Sequence, residues 1–217
     1  PPSYIFFNYT ATTDIYTLSL HDALPIYGPV AFADLDIVNV YFRTREKKDE
    51  LRSMGINPID SSIETDTLDL PAVSAQIMTP LHEKDVNYVL DVGGDNVGTR
   101  VVGRFAEHFV EGEYDMFCVV NANREQTQTA EEVVRFIESM EATSKLKVTG
   151  LINNTHFIRQ TTVEDVLKGQ KLAKEVSKLT NIPIKYVSCL RELVDSLPDD
   201  LEGDILPIDL YMREEWM

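Results

Sequence analysis

Residues 88–95 read YVLDVGGD: an apolar run, an aspartate where the run ends, two glycines and a second aspartate. The run has the length and continuous apolar character of a strand buried on both faces of a parallel sheet. Its acid, Asp91, falls where such a strand meets its loop, the edge at which open α/β sheets bind ligands. Glycines at that place let backbone N–H groups approach a bound anion. A tight turn satisfies the same residues, with glycine for backbone freedom and aspartate for an Asx-turn.

The rest of the chain repeats this theme. Short apolar runs predict strands over residues 29–34, 57–61, 87–92, 116–121, 148–153 and 184–188, and Pro207 confines a further run, 205–208, to a sheet edge. Between them lie helical patterns over 44–54, closed by Gly55, over 70–82 with Pro71 in the first turn, over 97–109, over 129–140 and over 162–179. Thr129 with Glu132 three residues on is a capping box. Strands alternating with helices predict an α/β fold with a parallel sheet, and 217 residues suffice for one sizeable domain.

Charge narrows the function. The net charge of -16 opposes contact with nucleic-acid phosphates and with anionic lipid. No apolar stretch reaches the roughly 18–20 residues of a membrane span. Cys118 and Cys189 are far apart, each in or beside an apolar run, and read as buried reduced thiols. A cytoplasmic location is expected. His82, His108 and His156 keep no metal-ligand spacing. Arg124 reads as a surface ion-pair partner before a phosphate ligand.

A second acidic motif precedes the first. ADLDIVNVYFR, beginning at Ala33, places Asp34 and Asp36 at the end of the first convincing strand. Two carboxylates one residue apart on an extended chain point the same way. Such a pair suits Mg²⁺, which prefers oxygen ligands and keeps part of its water, and one of the two can orient an attacking water. An aspartate that merely caps the next turn is the alternative. Both acidic motifs fall on the same edge of a parallel sheet.

With ADLDIVN, VLDVGGD, VVNANR and TGLINNTH in this order, residues 27–217 resemble the MinD/ParA/CobQ-type P-loop nucleotide-binding family. The resemblance implies a three-layer P-loop NTPase-like fold with a mostly parallel sheet. It implies ATP and Mg²⁺ as cofactors. Asp36 would be the catalytic switch I carboxylate, near the metal and the attacking water. Asp34, Asp36 and Asp91 would serve the metal, Asp91 as the Walker B residue acting through water. Gly93 and Gly94 would sense the γ-phosphate through backbone N–H groups. Asn153, with Asn154 beside it, would meet the adenine through its amide, which offers a donor and an acceptor. A turn role at the strand end is the other reading of Asn153. Relatives read DLDIVNPYFR; Val40 stands in place of that proline. The partners implied are a nucleotide and a protein of unknown identity, without nucleic acid or membrane, and a homodimer is admitted for the intact protein.

No G-x-x-x-x-G-K-[ST] phosphate loop occurs in the 217 residues. In the family that loop follows the first strand, where residues 1–26 stand. This segment has no Lys or Arg and keeps neither strand nor helix period. TATTDIYTLSLHDALPI resembles the translation of a sequencing adapter. The expectation is a non-native segment over 1–26 and, over 27–217, a nucleotide-binding domain lacking its genuine first strand, phosphate loop and first helix. The segment should pack irregularly or fill the vacant central-strand slot. The function expected is ATP binding and hydrolysis as a cytosolic switch, impaired in this chain. An ATP-dependent ligase of the cobyric acid or dethiobiotin synthase type, and a receiver-like binding domain, are the alternatives.

Overall fold

The structure is a computed structural model, describing residues 3–8, 29–35, 48–59, 77, 86–93 and 96–209. Among the described residues eight strands form one sheet: β1 (Ser3–Asn8), β2 (Val30–Asp34), β3 (Ile56–Ile59), β4 (Asn87–Gly93), β5 (Tyr114–Val120), β6 (Gly150–Asn153), β7 (Ile184–Leu190) and β8 (Asp204–Ile208). Their order is β3-β2-β4-β1-β5-β6-β7-β8. Every pairing is parallel. Prolines sit in both edge strands, Pro58 in β3 and Pro207 in β8, where a missing N–H costs no ladder bond.

Alternation along the strands divides the core in two. Tyr88, Leu90 and Val92 of β4 and Met116, Cys118 and Val120 of β5 join one apolar cluster. Val89, Phe117 and Val119 join the other. Helix α1 (Lys48–Ser53) sends Leu51 into the second cluster and ends at Gly55, whose φ of +82° only glycine adopts freely. Helices α2 (Asn96–Arg104), α3 (Ala130–Ser144) and α4 (Val163–Thr180) cover the first, through Val101, Val102, Val133, Ile137, Val166 and Val176. Two helical layers thus enclose a parallel sheet, the three-layer α/β architecture expected.

Local chemistry sets the helix boundaries. Thr129 caps α3 and Thr162 caps α4, each in a full capping box, with Glu132 and Asp165 as the reciprocal partners. Both helices stop at a left-handed residue, Lys145 and Asn181. The pattern over 97–109 overruns α2. The Phe105 N–H bonds to the Val102 carbonyl, so the ladder tightens to 3₁₀ geometry, and a single 3₁₀ turn follows at Ala106–His108. Among the described residues no helix is long and apolar enough to cross a membrane.

Within residues 1–26, Ser3–Asn8 stands at the centre of the sheet, in register with β4 on one side and β5 on the other. Residues 9–28 lie outside the described residues, as does the helix predicted over 70–82 apart from Ile77.

Candidate functional site

The helix that follows β2 in the described chain, α1, packs on one face of the sheet, and the helix that follows β4, α2, packs on the other. The carboxyl tips of two such strands are where open α/β sheets form a ligand crevice. Asp34 and Asp91 are register partners there. The backbone N–H of Leu35 donates to the Asp91 carbonyl at 2.7 Å, extending the ladder one residue past β2. Asp91 is 2% exposed and Gly93 is buried beside it. Asp36 and Gly94 lie outside the described residues, and Asp34 is placed by its backbone alone.

Gly98, which the sequence reading passed over, sets the third wall. A Cβ at Gly98 would lie 3.1 Å from the carbonyl oxygens of Leu35 and Gly93. Its absence brings the first turn of α2, with the partial positive charge of a helix amino end, against the tips of β2 and β4. Tyr88, deeper in β4, donates its hydroxyl to the Ile77 carbonyl at 2.6 Å, and burial pushes its phenol well above the ordinary range.

The donor set suits one metal class. Among the described residues no group of three or more His, Cys, Asp or Glu side chains converges, which excludes from them a protein-only cage. Mg²⁺ needs no such cage, because it retains waters and takes one or two carboxylates. Asp91, with Asp34 at the matching position, fits that requirement. The cysteines offer no alternative chemistry here: burial pushes the Cys118 thiol up to about 12 and that of Cys189 up to about 11, so neither is a ready thiolate.

Farther along the rim the tips are closed by amides. Asn153 is 0% exposed; its Nδ2 donates to the Val166 carbonyl at 3.0 Å and to Gln170 Oε1 at 3.2 Å, while its Oδ1 accepts from the Thr155 N–H. Gln170 passes the chain on, donating to the Glu202 carbonyl at 2.7 Å. Ser188 donates to the Asn153 carbonyl and to Asn154 Oδ1, at 3.1 and 2.8 Å. Asn154 is 2% exposed. In this structure the amides of both residues are turned inward, Asn153 toward α4 and Asn154 toward Ser188. A buried amide is costly unless its donors and acceptor are matched, and α4 supplies the match. The sequence did hold a signal for this. Gly169, an internal glycine of α4, has Thr155 Oγ1 and Asn153 Oδ1 at 2.0 and 2.1 Å from where its Cβ would be.

The NANR segment also turns inward. Asn123 donates to Asp165 Oδ1 at 2.9 Å and accepts from Lys168 at 2.8 Å, and the Ala122 N–H donates to Thr155 Oγ1. Burial alone would raise the Asp165 carboxyl, but hydrogen bonds from Thr162 and Asn123, with the Lys168 charge, hold it below its ordinary value.

No protein-family model matches the chain, and no curated protein matches it. Among solved structures, FlhF complexed with GMPPNP and Mg²⁺ aligns at a TM-score of 0.44 and 15% identity, over 80% of this chain and 62% of that one. FlhF complexed with GTP and Mg²⁺ aligns at 0.40 and 15%, over 76% and 60%. The chain therefore spans about three fifths of the FlhF chains. Its fold assignment rests on strand order and register, not on this distant likeness.

Proposed function

We propose that this chain is a nucleotide-binding protein whose phosphate and Mg²⁺ site is the crevice at the tips of β2 and β4. The observation that carries the reading is the pairing of Asp34 with Asp91 at the tips of two parallel strands whose following helices take opposite faces, next to a glycine and a helix amino end. In this reading Asp91 and Asp34 hold the waters of Mg²⁺, and Asp36 orients a water toward the terminal phosphate. The N–H groups of Gly93 and Gly94 meet the phosphate oxygens. The metal, when bound, supplies positive charge to the phosphates. The activity proposed is a cytosolic ATP-driven switch that works through a protein partner. It is carried by residues 27–217, with residues 1–26 a non-native strand donor. Without a phosphate loop in the sequence, the backbone cradle and the lysine charge are missing, which removes several kcal/mol of phosphate binding.

Amide chemical shifts of the whole chain, followed as Mg-ATP and Mg-GTP are titrated, test this. Affinity near the millimolar range, about -4 kcal/mol, is expected, with shifts centred on Leu35, Asp91 and Gly93, abolished by chelation or by Asp91→Asn. Shifts elsewhere, or none, overturn the site. Micromolar affinity overturns the proposed impairment.

A further inference from the structure

Three non-glycine residues among those described have positive φ. Lys145 and Asn181 are helix C-caps, where a left-handed residue is the ordinary terminator. Ile158, at φ +54°, ends no helix, and a β-branched side chain disfavours this conformation strongly. It lies in the turn between β6 and α4, directly beyond the amide-closed tips. Strain of this kind persists only where neighbouring bonds over-determine it.

Those bonds can be named. The Ile158 N–H donates to His156 Nδ1 at 3.1 Å. The Phe157 N–H donates to Thr161 Oγ1 at 2.9 Å, and that hydroxyl donates to the Ile158 carbonyl at 2.5 Å. Backbone bonds from Gln160 to Phe157 and from Thr161 to Ile158 complete the turn. Of all these, only the first depends on protonation, because an imidazole nitrogen accepts a hydrogen bond only while it carries no proton. His156 shares a small void with Ser188, Cys189 and Leu190 at the end of β7 and with Ile208 at the end of β8. Among the described residues of these strands, Cys189, kept as a neutral thiol by burial, is a titratable group lining the same void. Beyond Leu190 and Ile208 stands the Arg191–Asp209 ion pair, at 2.9 Å, and Arg159 is on the same turn. Histidine is the side chain whose charge ordinarily changes between about pH 5 and 8.

The turn borders a larger space. Arg159, Arg191, Glu192 and Asp209 wall a cavity of about 490 Å³ over Leu190 and Ile208. Phe157 is 57% exposed.

We propose that His156 is a proton-operated latch on this turn. Neutral, it holds Ile158 in its left-handed conformation and Arg159 at the cavity wall. Protonated, Nδ1 turns from acceptor to donor, the Ile158 N–H is released, and the turn relaxes, carrying Phe157 and Arg159 with it. The sign follows from linkage. The closed turn requires the unprotonated ring, so closure is complete above the imidazole range and is lost as pH falls through it. The open fraction relative to closed rises about tenfold per pH unit below the midpoint. The latch does not depend on the nucleotide reading.

The test is a pH titration of the whole chain followed by ring resonances of His156 and amide resonances of Ile158, Arg159 and Thr161. The amides are expected to move with the midpoint of the ring. In His156→Asn, where Oδ1 stands near the place of Nδ1 and cannot titrate in this range, they are expected to stay at their high-pH positions. Ile158→Gly, which relieves the backbone conflict, is expected to shift the opening midpoint to lower pH. Loop amides that stay still while the His156 ring titrates overturn the latch. So does a His156→Asn variant whose loop follows the wild-type curve.

Discussion

The carboxyl rim has two halves that look alike in sequence and differ in kind. At the tips of β2 and β4 stand register-paired aspartates, a glycine and a helix amino end. At the tips of β6 and β7 stand Asn153, Asn154 and Ser188, joined to Thr155, Gln170 and each other in a closed hydrogen-bond set. Each half relies on a glycine in the helix behind it, but the two approaches differ in depth. Around Gly98 the neighbours of an added Cβ lie at 3.1 Å, whereas around Gly169 they lie at 2.0 and 2.1 Å. At Gly98 the helix meets backbone carbonyls and the Val92 side chain, whereas at Gly169 it closes on matched amides. How closely the following helix approaches thus decides whether a polar residue at a strand tip is already matched by the protein itself.

Substitutions that press on this contrast should separate the halves. The largest effect belongs to Gly169→Ala. The new methyl collides with Thr155 and Asn153, and overpacking plus broken buried hydrogen bonds should cost about 3 kcal/mol in denaturant unfolding, outweighing the gain in helix propensity. A loss below that of Gly98→Ala would erase the distinction between the two approaches. Next, Asn153→Ala leaves the Val166 carbonyl, Gln170 and the Thr155 N–H without their partner, for about 2 kcal/mol. The Mg-nucleotide shifts at Gly93 should survive it. Asp91→Asn should do the reverse, leaving unfolding within about 1 kcal/mol of wild type while removing those shifts. A common loss of both properties in both variants would make the rim one unit.

The smallest effect is at the α4 cap. Asp165→Asn should cost about 1 kcal/mol at neutral pH. Because its folded carboxyl lies below its ordinary value, the advantage of the wild type is present above the unfolded value and fades as pH falls through the folded one. Unfolding curves of the two proteins should converge in acid; a gap that persists there would assign the loss to packing.

Much of the sheet was legible because continuous apolar runs such as VLDV and MFCVV leave few alternatives, and Pro207 marked its edge correctly. The Thr129–Glu132 box was legible because it is local. The end of α2 was not: Phe105 and Phe109 keep helical spacing through a 3₁₀ turn, since periodicity reports burial and not the hydrogen-bond ladder. The hydrogen-bond partners of the asparagine pair were not legible for a related reason. Its letters give donors and acceptors, but only Gly169, 16 positions after Asn153, decides how close α4 comes and hence which partners those groups meet.

Ser3–Asn8 is hydrogen-bonded on both flanks, six residues in register with β4 and six with β5. Its place in the fold is that of a keystone held by main-chain atoms. Lifted out, it would leave two half-sheets of three and four strands whose bare inner edges stand about two strand spacings, roughly 10 Å, apart. Any extended segment of fitting length could then bridge them, including one from another molecule.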